Sequence, residues 1–423
     1  GLCRDSLHDI YIPRIQRGNA SFAVNVLGAR EAVLSALIHF FADGRWEAPL
    51  ETGIGDYRLC PEDQLFILMQ AAVYLAATRG PPTSEARICN ERAESLCRAL
   101  NRPRMLYVAL IGQWRHYFLL LNLRQAMQMA RRVHSLAKHQ QHDAAISMKA
   151  HMALAVTQYY LGDFTRARQE ATSGVRLWHT GVEKSQVEEL DEPIIGCLCH
   201  KAFCAWHSGQ IASAHSTMGE AIRVAKRLKN THGIAVALYY SATLCYMERN
   251  PTETQRISSD LLELSIPQHF PHFRAWGTAL LGWVRSVAGL FTPGISWIEG
   301  AIEELQTRGA LFPMLSLMAP KAEALYLANR TSEALETVRE AQTLVEKTEA
   351  RWWSAEFYRL GAIFLTAMDA DEAEIEREFQ AAINTTKQQK STSLMKRAEA
   401  TYAEYRRQKA GVLGGHGLRL PLS

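Results

Sequence analysis

The feature that most constrains this chain is a pattern that returns about every forty residues. It consists of an apolar helix, a short turn, a small residue and a second helix. The clearest copy runs from Leu154-Ala155 through Gly162-Asp163-Phe164 to Ala167, Ala171 and Gly174. The turn position recurs at Leu121, Gly162, Gly209, Asn250, Gly289 and Asn329, in steps of 41, 47, 41, 39 and 40 residues. A period in this range marks stacked helical hairpins. The expected fold is all-α: a right-handed superhelical solenoid of antiparallel hairpins. The 423 residues exceed the roughly 100–200 of an ordinary single domain, but a solenoid core grows one repeat at a time.

Small residues at fixed offsets let the two helices of a hairpin approach closely. Ala155 is expected to face Ala167. The same offsets give Ala202 and Ala214, Gly282 and Gly294, then Ala322 and Ala334. The copy at Arg249-Asn250-Pro251-Thr252 is degenerate, although Asn-Pro still marks a turn. The last copy, Ala355 to Ile383, carries a longer turn at Met368 to Glu372, read as two inserted residues. Pro320 either kinks a helix begun near Leu315 or starts one itself. Three segments follow. Residues 1–61 are an N-terminal helical element (Ala20 to Phe41) and a loop, residues 62–400 are the repeat array, and residues 401–423 are a capping-helix end with a disordered tail. Within the array, Gln64 to Leu100 forms a hairpin about Gly80-Pro81-Pro82, and His179 to Pro193 forms a polar loop.

Composition narrows the function classes. The net charge of +4 is spread among interspersed acids and bases, unlike the concentrated basic stripe of a nucleic-acid binder. No run of about 18 apolar residues exists to cross a membrane. The Tyr107 to Leu123 stretch is broken by Gln113, Arg115 and His116. The eight cysteines are irregularly spaced and mostly lie among apolar helix residues. That pattern points to a reducing, cytoplasmic setting without a disulfide framework. The expected partners therefore include neither nucleic acid nor membrane.

Four side chains, Cys197, His200, Cys204 and His207, form one helical stripe with zinc-ligand chemistry. Closing a tetrahedron with four ligands from one straight helix is geometrically poor, so the cysteines are expected to pack between repeats with the histidines at the edge, and no metal ligand is assigned. No Gly-x-x-x-x-Gly-Lys-Ser/Thr segment offers a phosphate cradle. No catalytic residue and no cofactor are assigned. The basic run Lys396-Arg397, Arg406-Arg407 and Lys409 reads as the solvated face of a capping helix. In the repeat register, Arg115, Lys149, Tyr159, Tyr160, Trp206, Trp283, Tyr326 and Tyr358 fall at or near positions facing a concave groove. Trp, Tyr and Arg are the residues that most often anchor an interface.

The period and small-residue pattern resemble tetratricopeptide repeats in a longer variant. Narrower segments are Tyr160-Leu161-Gly162-Asp163-Phe164, Ala275-Trp276-Gly277-Thr278 with Gly282-Trp283, and Val345-Glu346-Lys347-Thr348 followed by Arg351-Trp352-Trp353, Ala355-Glu356 and Tyr358-Arg359-Leu360-Gly361. These resemble the C-terminal repeat region of bacterial adenylate/guanylate cyclase–AAA ATPase signalling proteins. The resemblance implies a non-catalytic regulatory sensor that binds a protein or peptide ligand, upstream domains of the same polypeptide included, or a small effector. Two alternatives stay open. One is a part of a cyclase whose activity lies in domains absent from this chain. The other is the effector-sensing arm of an ATP-dependent transcriptional activator.

Overall fold

The computed structural model describes residues 61–78, 83–139, 144–180, 192–309, 311–411 and 420–422. These form seventeen α-helices and, among the described residues, no strand. The first helix of each hairpin is α1 (Pro61–Thr78), α3 (Pro103–Leu119), α5 (Ala144–Tyr160), α7 (Pro193–His207), α9 (Thr231–Met247), α11 (Pro271–Val287), α13 (Leu311–Leu327) or α15 (Ser354–Ala367). Their partners are α2 (Ser84–Ala99), α4 (Leu123–His139), α6 (Phe164–His179), α8 (Ile211–Arg227), α10 (Pro251–Ser265), α12 (Phe291–Thr307), α14 (Thr331–Thr348) and α16 (Glu372–Gln389). A last helix, α17 (Thr392–Gly411), follows. The Ala20 to Phe41 element and the Gly80-Pro81-Pro82 turn lie outside the described residues, as does most of the His179 to Pro193 loop.

Local chemistry sets the helix starts. Pro103, Pro193, Pro251 and Pro271 open α3, α7, α10 and α11, where a missing N–H costs nothing and the ring presets φ. The side chains of Asp163, Asn230 and Asn250 accept hydrogen bonds from the backbone N–H groups of Arg166, Gly233 and Glu253, capping orphan donors. The seven described hairpin turns each place one residue in the left-handed region: Leu121, Gly162, Gly209, Arg249, Gly289, Asn329 and Asp369. In the degenerate copy the turn residue is thus Arg249, and Asn250 is the cap after it. With that one-residue shift, positions 209, 249, 289, 329 and 369 lie forty residues apart. The last turn keeps this step. α16 begins three residues after Asp369, where α6 and α8 begin two after their turn glycines, so one residue is inserted there rather than two.

Second helices bury a single stripe, as in α8 with Ala214, Met218, Ala221 and Ala225. First helices are buried on nearly every face, as in α7 and α9, which places them inside the superhelix. The α11–α12 hairpin is packed backbone to backbone. A Cβ added at Gly282 would lie 2.6 Å from the Gly294 carbonyl oxygen. Pro320 neither starts α13 nor stops it. The helix continues through it from Leu311 to Leu327.

The array curls until distant first helices meet. Phe118 of α3 packs on Phe312 of α13 with ring centroids 4.8 Å apart. The Trp352 N–H donates to the Tyr160 carbonyl at 3.3 Å. At the far end α17 returns to α7, with His207 Nδ1 and Ser391 Oγ 2.8 Å apart and the Ser393 hydroxyl donating to the Trp206 carbonyl. Arg397 of α17 is accordingly part of the interior, with its side chain 14% exposed. The solvated-face reading holds for its neighbours Lys396, Arg406, Arg407 and Lys409, which are exposed. The end of the tail is also placed: Leu420 is 1% exposed and sits in the same core.

Candidate functional site

The concave side is filled by two adjoining clusters. The first is an aromatic chamber built by α5, α7, α9, α11 and α13 with Trp352 and Trp353. It encloses a cavity of about 30 Å³, room for a water molecule or two. Tyr159 and Phe203 pack with ring centroids 5.3 Å apart, Tyr239 and Trp276 at 4.8 Å, and Tyr160 meets Trp352 edge-on at 4.8 Å. Edge-on and tilted pairs suit the aromatic quadrupole. Burial pushes the Tyr159, Tyr160 and Tyr239 phenols well above their ordinary range, so they remain neutral. The buried Trp276 Nε1–H meets no acceptor among the described residues. Pro320 cannot donate to the carbonyl four residues back, and that residue, Ser316, lines the chamber.

The α7 stripe borders this chamber, and its histidines His200 and His207 are as fully buried as Cys197 and Cys204 rather than at an edge, because α7 is covered on both sides by α5, α9 and the returning α17. Two of its side chains are committed to hydrogen bonds: His200 Nδ1 donates to the Gly196 carbonyl at 2.9 Å, and His207 lies between Tyr159 OH (3.2 Å) and Ser391 Oγ (2.8 Å). Burial takes His200 down to about 4, and burial with the nearby Arg397 charge holds His207 well below its usual range. Burial also pushes the Cys197 thiol up to about 12 and raises Cys204, which keeps both as small protonated hydrophobes. Among the described residues, no group of three or more His, Cys, Asp or Glu side chains is placed to hold a metal ion.

The second cluster is an ionic basin. Glu323 of α13 accepts from Tyr246 OH at 2.7 Å, from Trp283 Nε1 at 2.8 Å and from Arg249. Glu356 of α15 accepts from Arg249 Nη2 at 2.6 Å and from Arg359 through both Nε (3.0 Å) and Nη2 (2.7 Å). Arg397 completes the group 3.5 Å from Glu356 and donates to the Met247 carbonyl. Glu323, Glu356 and Arg359 side chains are each 1% exposed and that of Arg249 is 10% exposed. Burial alone would raise Glu356, but Arg359, Arg397 and Arg249 overcome it and hold the carboxyl well below the usual range. Burial pushes Arg397 down to about 10, still charged near neutrality. Three guanidiniums therefore face two carboxylates in the protein interior. Tyr246 joins the clusters, since it lines the chamber and donates into the basin.

With this geometry in place, the comparisons locate the fold. No family model matches the chain. A Rap protein solved in complex with competence and sporulation factor aligns over 86% of this chain and 99% of its own, at 13% identity and a TM-score of 0.60. The fold is a tetratricopeptide-repeat-like helical solenoid. A signal-transduction ATPase of Pyrococcus horikoshii with a tetratricopeptide-repeat sensor aligns over 86% of this chain and 55% of its own, at 12% identity and a TM-score of 0.47. An uncharacterized protein of Rhizobium meliloti (strain 1021) is 19% identical over 262 residues, 61% of this chain and 25% of that protein. The chain thus aligns with only about a quarter of that relative. Among the described residues, no helix is long and apolar enough to cross a membrane.

The solenoid register gathers four of the eight groove residues at the two clusters. Tyr159 and Tyr160 line the chamber, Trp283 donates into the basin, and Trp206 lies beside Trp353 and under Arg397. All four are buried, at 1 to 3% exposure. The other four lie apart. Tyr326 is buried and bonded to the tail, while Lys149 is buried in α5 with its charge close enough to act on Cys197. Tyr358 packs on Ile383 and Ala398, away from both clusters, and Arg115 is half-buried on α3. Register reasoning missed Arg249, Glu323 and Arg397. Glu356 and Arg359 were visible as part of the Ala355-Glu356/Tyr358-Arg359 resemblance, without their pairing.

Proposed function

We propose that this array is a non-catalytic regulatory interaction module whose concave interior takes a segment of a partner protein or a peptide. The observation that carries the reading is that helices far apart in sequence meet there both by aromatic packing, as at Phe118 and Phe312, and through a buried ionic group. Arg249, Glu323, Glu356 and Arg397 come from four different elements, so the grip of α17 on α7, α9 and α15 is a closed arrangement that a competing ligand opens. A regulatory role requires two such states with different affinities for the ligand. In this reading the array is the C-terminal part of a larger signalling ATPase or nucleotide cyclase and responds to, or restrains, its upstream domains. The small fraction of the Rhizobium relative that aligns supports a place in a longer polypeptide.

The test is hydrogen-exchange mass spectrometry of the chain alone and mixed with the separately expressed ATPase and cyclase domains of the longer polypeptide. Altered exchange in α13, α15 and α17 is expected. Unchanged exchange in every first helix, despite measured binding, would remove the concave interior from the function. The chain alone is expected to make no cyclic nucleotide and to hydrolyse no ATP.

A further inference from the structure

The described end of the tail lies on the face formed by α13 and α15 in the manner of a bound peptide. The Tyr326 hydroxyl of α13 donates to the Leu420 carbonyl at 3.3 Å, and Arg359 Nη2 of α15 donates to the Leu422 carbonyl at 2.9 Å. Residues 420–422 belong to no helix, and Pro421 neither donates a hydrogen bond nor extends one. Burial alternates along them: Leu420 is 1% exposed, Pro421 is exposed, and Leu422 is partly buried against the core. That in-out-in order is the period of an extended chain. Carbonyls two residues apart are read by fixed donors, and a leucine between them and the core supplies the anchor. The Arg359 donor is held ready, because Glu356 grips its guanidinium through two nitrogens and Thr401 of α17 accepts a third bond at 3.1 Å. A donor fixed before binding loses little freedom on binding.

We propose that residues 420–422 are an internal ligand. The α13–α15 face is a docking site for an extended, leucine-bearing peptide segment, and the chain's own tail occupies it until an external segment of the same chemistry replaces it. One leucine and two hydrogen bonds form a weak contact by themselves. Tethering changes the balance: eight residues of sequence separate Gly411 from Leu420, and short linkers give effective concentrations on the order of millimolar. The tail is therefore a competitor that sets a threshold for any partner. This inference rests on the reading of the concave interior as an interaction surface and names what that surface accepts.

The test uses the full chain and a fluorescein-labelled synthetic peptide with the sequence of residues 417–423, followed by fluorescence anisotropy. In the Leu420→Asp chain the tail leaves the face, and the labelled peptide is expected to bind at least tenfold more tightly than to the unmodified chain. The milder Leu420→Ala chain is expected to fall between the two, and it keeps the test open should the Asp variant melt at a lower temperature. A peptide carrying Asp at the position of Leu420 is expected not to bind either chain. Tyr326→Phe introduced with Leu420→Ala is expected to weaken the peptide about threefold to tenfold. Equal peptide affinity for all chains, or no binding to a Leu420 variant that unfolds cooperatively, overturns the inference. Peptide binding without any effect of Leu420→Asp on upstream-domain binding leaves the docking site standing and sinks the regulatory reading. Altered exchange with upstream domains, but no peptide binding, does the reverse.

Discussion

The aromatic chamber and the ionic basin lie side by side on the same concave interior and share Tyr246, yet they hold the solenoid closed by opposite physics. The chamber works by dispersion and ring geometry, with each phenol neutral and each contact modest. The basin works by charge: five ionised groups in a space that water scarcely reaches. Such a cluster adds little net stability over a well-packed apolar one, because desolvation consumes most of the attraction. What it adds is sensitivity. Each charge depends on the others, so losing one leaves the rest uncompensated. The chamber should therefore yield gradually to substitution and the basin abruptly.

The sharpest way to break this comparison is Glu356→Gln. It keeps the shape but leaves Arg249, Arg359 and Arg397 around a neutral amide. Removing one member of a buried ionic group costs about 3–5 kcal/mol, read as a fall in the urea midpoint at pH 7. A loss below about 1 kcal/mol would mean the basin is not a coupled unit.

Arg249→Gly sharpens the comparison from the backbone side. Arg249 sits at φ +59°, where a side chain costs roughly 1–2 kcal/mol that glycine avoids. The substitution removes a partner of both carboxylates but relieves the turn, so the expected net loss is smaller than for Glu356→Gln, about 2–4 kcal/mol. A gain in stability would show that the turn strain outweighs both ion pairs.

The two clusters should also separate by pH. His200 at the chamber has its folded value lowered to about 4 by burial, against an ordinary 6.5, and His207 is lowered too. The folded state then binds fewer protons than the unfolded state. The stability contributed by neutral His200 is complete above 6.5 and drains away as pH falls from 6.5 toward 4. Between pH 7 and 5 the loss should be about 2 kcal/mol for His200. Glu356 is also depressed, but its contribution fades only below the usual carboxylate range near 4.5. Unfolding free energies at pH 7 and 5 for the chain and for His200→Phe check this. The variant should lose about 2 kcal/mol less, while Glu356→Gln should leave the difference unchanged.

The chamber and the basin also differ in how far the sequence discloses them. Periodicity finds Tyr159 and Trp206 because both stand three residues before a turn glycine, with Tyr160 next to that position and Trp283 one helical turn before it, and the repeat itself places these positions inside. It leaves open whether they face solvent or each other, since that depends on how tightly the array curls. The curl is set by contacts such as Phe118 with Phe312 and His207 with Ser391, which lie 184 or more residues apart. Arg249 was hidden by its place in a turn, where basic residues are ordinarily solvated. Arg397 was hidden in a basic run whose other members are exposed. Glu323 lies next to Ala322, one of the small residues that define its hairpin, and carried no signal alone. Long-range charge pairing leaves no periodic trace, whereas packing within a hairpin does.

Tyr159→Phe should be the smallest effect and is the strictest check on the chamber. The substitution keeps the ring and its contacts with Phe203 and Phe164. It removes only the hydroxyl 3.2 Å from His207 Nε2, while His207 keeps its contact with Ser391. A neutral hydrogen bond of this kind contributes roughly 0.5–1.5 kcal/mol, so the urea midpoint should move only slightly. Exchange at the start of α17 should be almost unchanged, because Ser391 and Ser393 still anchor it to α7. A loss above about 3 kcal/mol would show that the phenol and imidazole act as one unit with α17. In that case the chamber would be as interdependent as the basin, and the contrast between them would be one of chemistry alone.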